Sequence, residues 1–137
     1  MYKKILVPMA LDHGVSAQTL KVAQGLSDDG GEIIALHVYE APQRSVAAYL
    51  DADAVKESMA LAKSNLEEKT AEFAGVRAEL VQGHSARTII DYAADNDVDC
   101  VVMGSHKPGL SDYFLGSTAA RVVQHAPCAV HVIRDRN

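Results

Sequence analysis

Val98-Asp99-Cys100-Val101-Val102-Met103-Gly104-Ser105-His106-Lys107-Pro108 and, further on, Leu115-Gly116-Ser117-Thr118-Ala119 decide the fold of this chain. Residues 98–103 form a short, nearly unbroken apolar run, which suits a strand covered on both faces. The run breaks at Gly104 into a loop bearing Gly, Pro and Ser over residues 104–115. Gly116 to Gln124 then reads as a short helix. After Pro127, Ala129 to Ile133 is another apolar strand. A strand, a crossover helix and a further strand make a βαβ unit, which places the two strands parallel.

The same alternation extends toward the N-terminus. Ile5-Leu6-Val7 is a strand ended by Pro8, and Ser16 is the N-cap of a helix through Ala17, Leu20, Ala23 and Leu26. Asp28-Asp29-Gly30-Gly31 stops that helix, and Ile33 to Tyr39 is the second strand. Residues 40–50 have no clear period. From Asp53, the positions Val55, Met59, Ala62, Leu66, Lys69 and Phe73 step by three or four. They form an apolar stripe broken only by Lys69, on a long helix that Gly75 closes. Val76 to Val81 alternates in polarity and reads as a less central strand. Gly83-His84-Ser85 turns into a helix with Ile89, Ile90, Ala93 and Ala94 inward. The order β-α-β-α-β-α-β-α-β predicts one α/β domain over residues 1–137, a doubly wound parallel sheet with helices on both faces.

Composition narrows the function. The 137 residues are 48% hydrophobic and 23% charged, which are ordinary globular values. Thirteen basic against eighteen acidic residues leave a net charge of −5, and there is no Trp. Nucleic acid is therefore not an expected partner. The opening Met1-Tyr2-Lys3-Lys4 lacks the shape of a signal peptide, and no apolar stretch is long enough for a membrane span. A cytoplasmic protein without membrane insertion is expected. Cys100 and Cys128 both sit in apolar runs and read as buried, reduced thiols.

In an open α/β sheet, ligands bind beyond the carboxyl ends of the strands. Gly104-Ser105-His106 leaves one such end, and Gly116-Ser117-Thr118 opens a helix close by in sequence. A helix start offers unpaired N–H groups and a positive dipole end, and glycine lets backbone approach an oxyanion. This is a candidate phosphate cradle, with turn glycines and an ordinary helix cap as the alternative. Neither the P-loop pattern nor the Gly-x-Gly-x-x-Gly dinucleotide fingerprint is present. The six histidines include no His-Glu-x-x-His pair. There is no Gly-x-Ser-x-Gly elbow and no paired acid and base, so neither a resident metal nor an enzymatic activity is expected. His37 and His131 fall inside strands as sheet or interface residues, whereas His106 stands at a strand end.

Taken together, Lys3-Lys4-Ile5-Leu6-Val7-Pro8, Leu36-His37-Val38, Gly83-His84-Ser85, Val101 to His106 and Leu115-Gly116-Ser117-Thr118-Ala119 resemble the universal stress protein family over essentially the whole chain. So do Val122-Val123, His125-Ala126, Pro127-Cys128 and Val130 that follow. The resemblance implies five parallel strands in the order 3-2-1-4-5. It also implies homodimers, with a tetramer as an alternative, joined through the edge strand Ala129 to Ile133.

One branch of the family binds ATP through a glycine-x-x-glycine, nine residues, glycine-serine signature. Here Gly104 matches the first glycine, Lys107 replaces the second, and the loop to Gly116 is one residue shorter. A variant subgroup with Ser-His-Arg-Pro at this point also includes nucleotide binders. Relatives carry an acid two positions after the first-strand proline, where this chain has Ala10. Asp12 takes that acid's place toward a ribose hydroxyl or a metal, or is a turn carboxylate.

The nucleotide contacts implied by the resemblance are Pro8, Met9, Asp12, Val38, Gly104, Ser105, His106, Lys107, Gly116, Ser117 and Thr118. Adenine would lie against the Val38 backbone, and the ligand would be ATP, ADP or AMP, with Mg²⁺ accompanying a triphosphate. The expected function is a nucleotide-binding stress-response or regulatory protein. The alternative is a nucleotide-independent dimeric module that docks a transporter or regulatory partner.

Overall fold

A computed structural model describes residues 1–11, 16–40, 52–105 and 115–134. Five strands, β1 (Tyr2–Pro8), β2 (Ser27–Tyr39), β3 (Val76–Gln82), β4 (Cys100–Gly104) and β5 (Ala129–Ile133), form one sheet in the order β3-β2-β1-β4-β5. Every pairing is parallel, as the alternating element order predicts. The intervening helices are α1 (Ser16–Leu26), α2 (Ala52–Thr70), α3 (Ser85–Asp95) and α4 (Ser117–His125).

Residue alternation along the strands divides the core into two layers. Ile5, Val7, Ile33, Ala35, Cys100 and Val102 pack with Leu20 and Ala23 of α1 and Leu66 of α2. Leu6, Ile34, Leu36, Val101 and Met103 pack on the other face with Ile89 and Ala93 of α3 and Ala119 and Val122 of α4. The three central strands are therefore apolar at consecutive positions, because both of their faces are covered. β3 lies at an edge and is only half-buried, in keeping with its alternating sequence. Among the described residues, no helix is long and apolar enough to cross a membrane.

Several boundaries differ from the periodicity. β2 begins at Ser27, six residues before the apolar run. Tyr2 pairs with Ser27 and Lys4 with Glu32, so β2 carries extra residues across this step. Gly30, with φ +76°, allows that bulge. α2 ends at Thr70, whose hydroxyl donates back to the Leu66 carbonyl at 2.9 Å, and Phe73 lies in the turn that follows. β4 begins at Cys100, because the Val98 N–H bonds to Ala93 O at 3.0 Å and belongs to the helix exit. Ala94 is exposed and Cys128 only half-buried, against the expectation of burial for both. Cys100 is buried as expected.

Candidate functional site

The sheet order makes β1 the strand from which the chain winds both ways, β2 on one side and β4 on the other. β1 pairs with β2 as far as Pro8↔Leu36. With β4 the register holds only Ile5↔Cys100 and Leu6↔Val101. Beyond these pairs the carboxyl ends of β1 and β4 part, with Val7 and Pro8 on one side and Val102 to Gly104 on the other. This is the topological switch point at which open α/β sheets accept ligands.

Pro8 is the last residue of β1, and buried Met9 follows it, its N–H donating to Leu36 O at 2.8 Å. Val38 lies two residues beyond Leu36 on β2 and packs toward the α3–α4 layer. Gly104 ends β4, and buried Ser105 donates its N–H to Ile133 O at 3.0 Å. The strand order thus brings Pro8, Met9, Val38, Gly104 and Ser105 to one edge of the sheet. Asp12, His106 and Lys107 lie outside the described residues.

α4 begins above this edge. Gly116 is its N-cap, with φ −59° and ψ 155°, and its carbonyl accepts the Ala120 N–H at 2.9 Å. Glycine provides no capping side chain, and the first turn holds no acidic residue. Ala119 and Val122 are buried and fix the helix on the sheet, while Ser117 stays exposed. The first-turn N–H groups and the positive dipole end suit an anion.

An open cleft of about 470 Å³ runs from here to the N-terminus of α3, between Ser117, Thr118 and Arg121 on one wall and Glu40, His84 and Ser85 on the other. Glu40 closes the α3 side. Its Oε1 accepts the Ser85 N–H at 3.1 Å and the Ser85 hydroxyl at 2.8 Å. These two bonds from Ser85 hold the Glu40 carboxyl below its ordinary range, with nearby His84 assisting and partial desolvation opposing. Sequence reading missed Glu40, and exposed Arg121 adds a cation to the opposite wall. The available signal for Glu40 was its place immediately after the second strand, at the carboxyl edge of the sheet.

Cys100 lies below the site in the sheet, and burial pushes its thiol up to about 11, which disfavours a thiolate nucleophile there. Among the described residues, no group of three or more His, Cys, Asp or Glu side chains is placed to hold a metal.

Comparison with known proteins agrees with this architecture. The model of the universal stress protein family matches residues 1–134. A universal stress protein of Methanothermobacter thermautotrophicus is 30% identical over 98% of this chain and 97% of its own. The solved structure of hypothetical protein MJ0577 has a TM-score of 0.83 at 27% identity, covering 100% of this chain and 99% of that one. A universal stress protein of Archaeoglobus fulgidus, solved in complex with dAMP, has a TM-score of 0.62 at 20% identity, covering 96% of this chain and 98% of that one. Two further chains of the same fold were solved with cAMP and with AMP. The chain belongs to the universal stress protein family.

Proposed function

We propose that this chain binds an adenine nucleotide (ATP, ADP or AMP) and acts as a non-catalytic regulator in a stress response. The observation that carries the reading is the parting of β1 and β4 beneath a helix whose N-cap is glycine. Nucleoside and phosphate need different surroundings, and this edge offers both. The Pro8–Met9 backbone and Val38 supply an apolar slot with peptide groups for the base. Gly104, Ser105, Gly116, Ser117 and Thr118 supply backbone and hydroxyl donors for phosphate. AMP, dAMP and cAMP in neighbours of the same fold support the nucleotide class. Asp12, His106 and Lys107 complete the proposed contacts by their place in the chain, and Mg²⁺ would arrive with a triphosphate.

The test is calorimetry with ATP and AMP, with and without Mg²⁺, on nucleotide-stripped protein. The parent should bind in the micromolar range. A folded Gly116→Val, Ser117→Ala double variant should lose about tenfold, or about 1.4 kcal/mol. Absence of binding by the folded parent would overturn the reading.

A second reading, a nucleotide-independent dimeric docking module, draws on β5. This strand is bonded to β4 on one side and is the sheet's outer edge, with Ala129 and His131 exposed. An open edge favours pairing with a second strand. A homodimer through β5 is compatible with either reading. Partner capture that ignores both nucleotide and the Ser117 substitution would favour the second.

A further inference from the structure

The turn that leaves β1 is held at two carbonyls by side chains from distant parts of the chain. The His37 ring meets the Met9 carbonyl at 2.8 Å through Nδ1. A carbonyl can only accept, so Nδ1 carries the hydrogen and donates it. On the other side, the Lys69 ammonium near the end of α2 donates to the Leu11 carbonyl at 2.5 Å. Between these points the Met9 N–H is bonded to Leu36 O. Met9 and Leu66 share one core cluster, and Leu11 packs against it. The start of the turn is thus fixed by backbone, by imidazole and by ammonium, and α2 reaches it through Lys69 and shares its core cluster through Leu66.

Lys69 is the residue that breaks the apolar stripe of α2. Its ammonium reaches the turn that leaves β1, where it serves the Leu11 main-chain carbonyl. His37 likewise stands in a strand of otherwise apolar character. Each polar intrusion has a partner in the same turn.

We propose that His37 and Lys69 are positioning residues of the nucleotide site. By holding Met9 O and Leu11 O they set the course of the start of the turn that presents Pro8 and Met9 to the nucleoside, and they tie the placement of α2 to nucleotide affinity. The inference rests on the nucleotide reading above. A recognition site held loosely by even a fraction of an ångström loses affinity, and these two bonds are the side-chain restraints on residues 9–11 among the described residues.

The experiment compares the parent with His37→Phe, His37→Asn, Lys69→Met and Lys69→Arg, each checked by urea unfolding. Adenosine, AMP and ATP are titrated by calorimetry. Asn Nδ2 and the Arg guanidinium can each donate to the same carbonyl as the residue they replace. His37→Phe and Lys69→Met should weaken all three ligands by about fivefold or more, and to the same extent. The Asn and Arg variants should recover to within about twofold of the parent. A variant that alters only general stability would show no such recovery, and one that acts on the phosphates would spare adenosine.

If the parent binds and His37→Phe and Lys69→Met bind equally well, this inference falls and the nucleotide reading stands. A loss that the conservative variants do not recover also overturns it. If the folded parent binds none of the three ligands, the nucleotide reading itself has failed, and the inference falls with it.

Discussion

Ser117→Asp should make the fold more stable and the phosphate site worse. Ser117 is exposed at the first position of α4, in a turn that has no acidic residue and a glycine N-cap. A carboxylate there meets the positive end of the helix dipole and gains about 0.3–1 kcal/mol. A phosphate seated on the same N–H groups would stand about 5 Å from that carboxylate. At an effective dielectric of about 20, each pair of unit charges then repels by about 3 kcal/mol before salt screening, or about two orders of magnitude in Kd. Ser117→Asn has nearly the same shape without the charge, so the difference between the two variants isolates the electrostatic part. Urea unfolding and calorimetry with ATP and adenosine read the two effects separately. The Asp variant should show a raised unfolding midpoint, an unchanged slope, a lost ATP signal and near-parent adenosine binding. ATP binding equal to that of the Asn variant would remove the α4 N-terminus from the phosphate position and refute the reasoning.

Other outcomes follow from the same structure. Glu40 has a lowered carboxyl pKa, so the stability it contributes is present above the ordinary value of 4.5 and is lost as pH falls through the folded-state value; Glu40→Gln should flatten that part of the acid unfolding curve. Cys100, pushed up to about 11, should resist thiol reagents at pH 8 in the native protein, with half-buried Cys128 labelled first. Because its folded-state value is raised from 9.0, Cys100 contributes stability that is complete below pH 9 and fades toward about pH 11. Gly75 has φ +79°, so Gly75→Ala should cost about 1 kcal/mol. Gly25 near the end of α1 has nothing within 4 Å of an added Cβ, so Gly25→Ala should instead stabilise by about 0.4–1 kcal/mol; chemical denaturation compares the two.

The parts of this molecule that are legible in sequence are those governed by local burial. Ile33 to Leu36 and Cys100 to Met103 are apolar at every position because the sheet is covered on both faces, and Val76 to Val81 alternates because β3 is an edge. The glycine at the start of α4 is legible too, since helix caps follow from local geometry. The rest depends on contacts between elements far apart in the chain. Glu40 meets Ser85 across 45 residues, and Lys69 meets Leu11 across 58. No periodicity encodes such a pair, so Lys69 reads in sequence as an interruption and Glu40 as the beginning of an irregular segment. The early start of β2 escapes for a related reason. Asp28 and Asp29 disfavour a strand by propensity, but the bulge lets them run beside β1, where Asp28 accepts from the Met1 ammonium.

The two walls of the cleft show how one motif can serve two purposes. α3 and α4 both begin at this edge without a side-chain cap from their own N-cap residue. At α3 the chain supplies its own anion, the Glu40 carboxylate on Ser85. A phosphate at that helix would have to displace two charge-assisted hydrogen bonds and approach a fixed negative charge. At α4 no acidic residue occupies the first turn, and Arg121 lies one turn further along the same wall. Under the proposed reading, the phosphates are therefore directed to α4 by repulsion from Glu40 as well as by attraction to the helix. Glu40→Gln should then relax that preference without weakening the nucleoside contacts. It would tighten ATP more than AMP, because each added phosphate carries more charge past the same carboxylate. An equal effect on the two nucleotides would show that Glu40 acts only as a structural cap for α3.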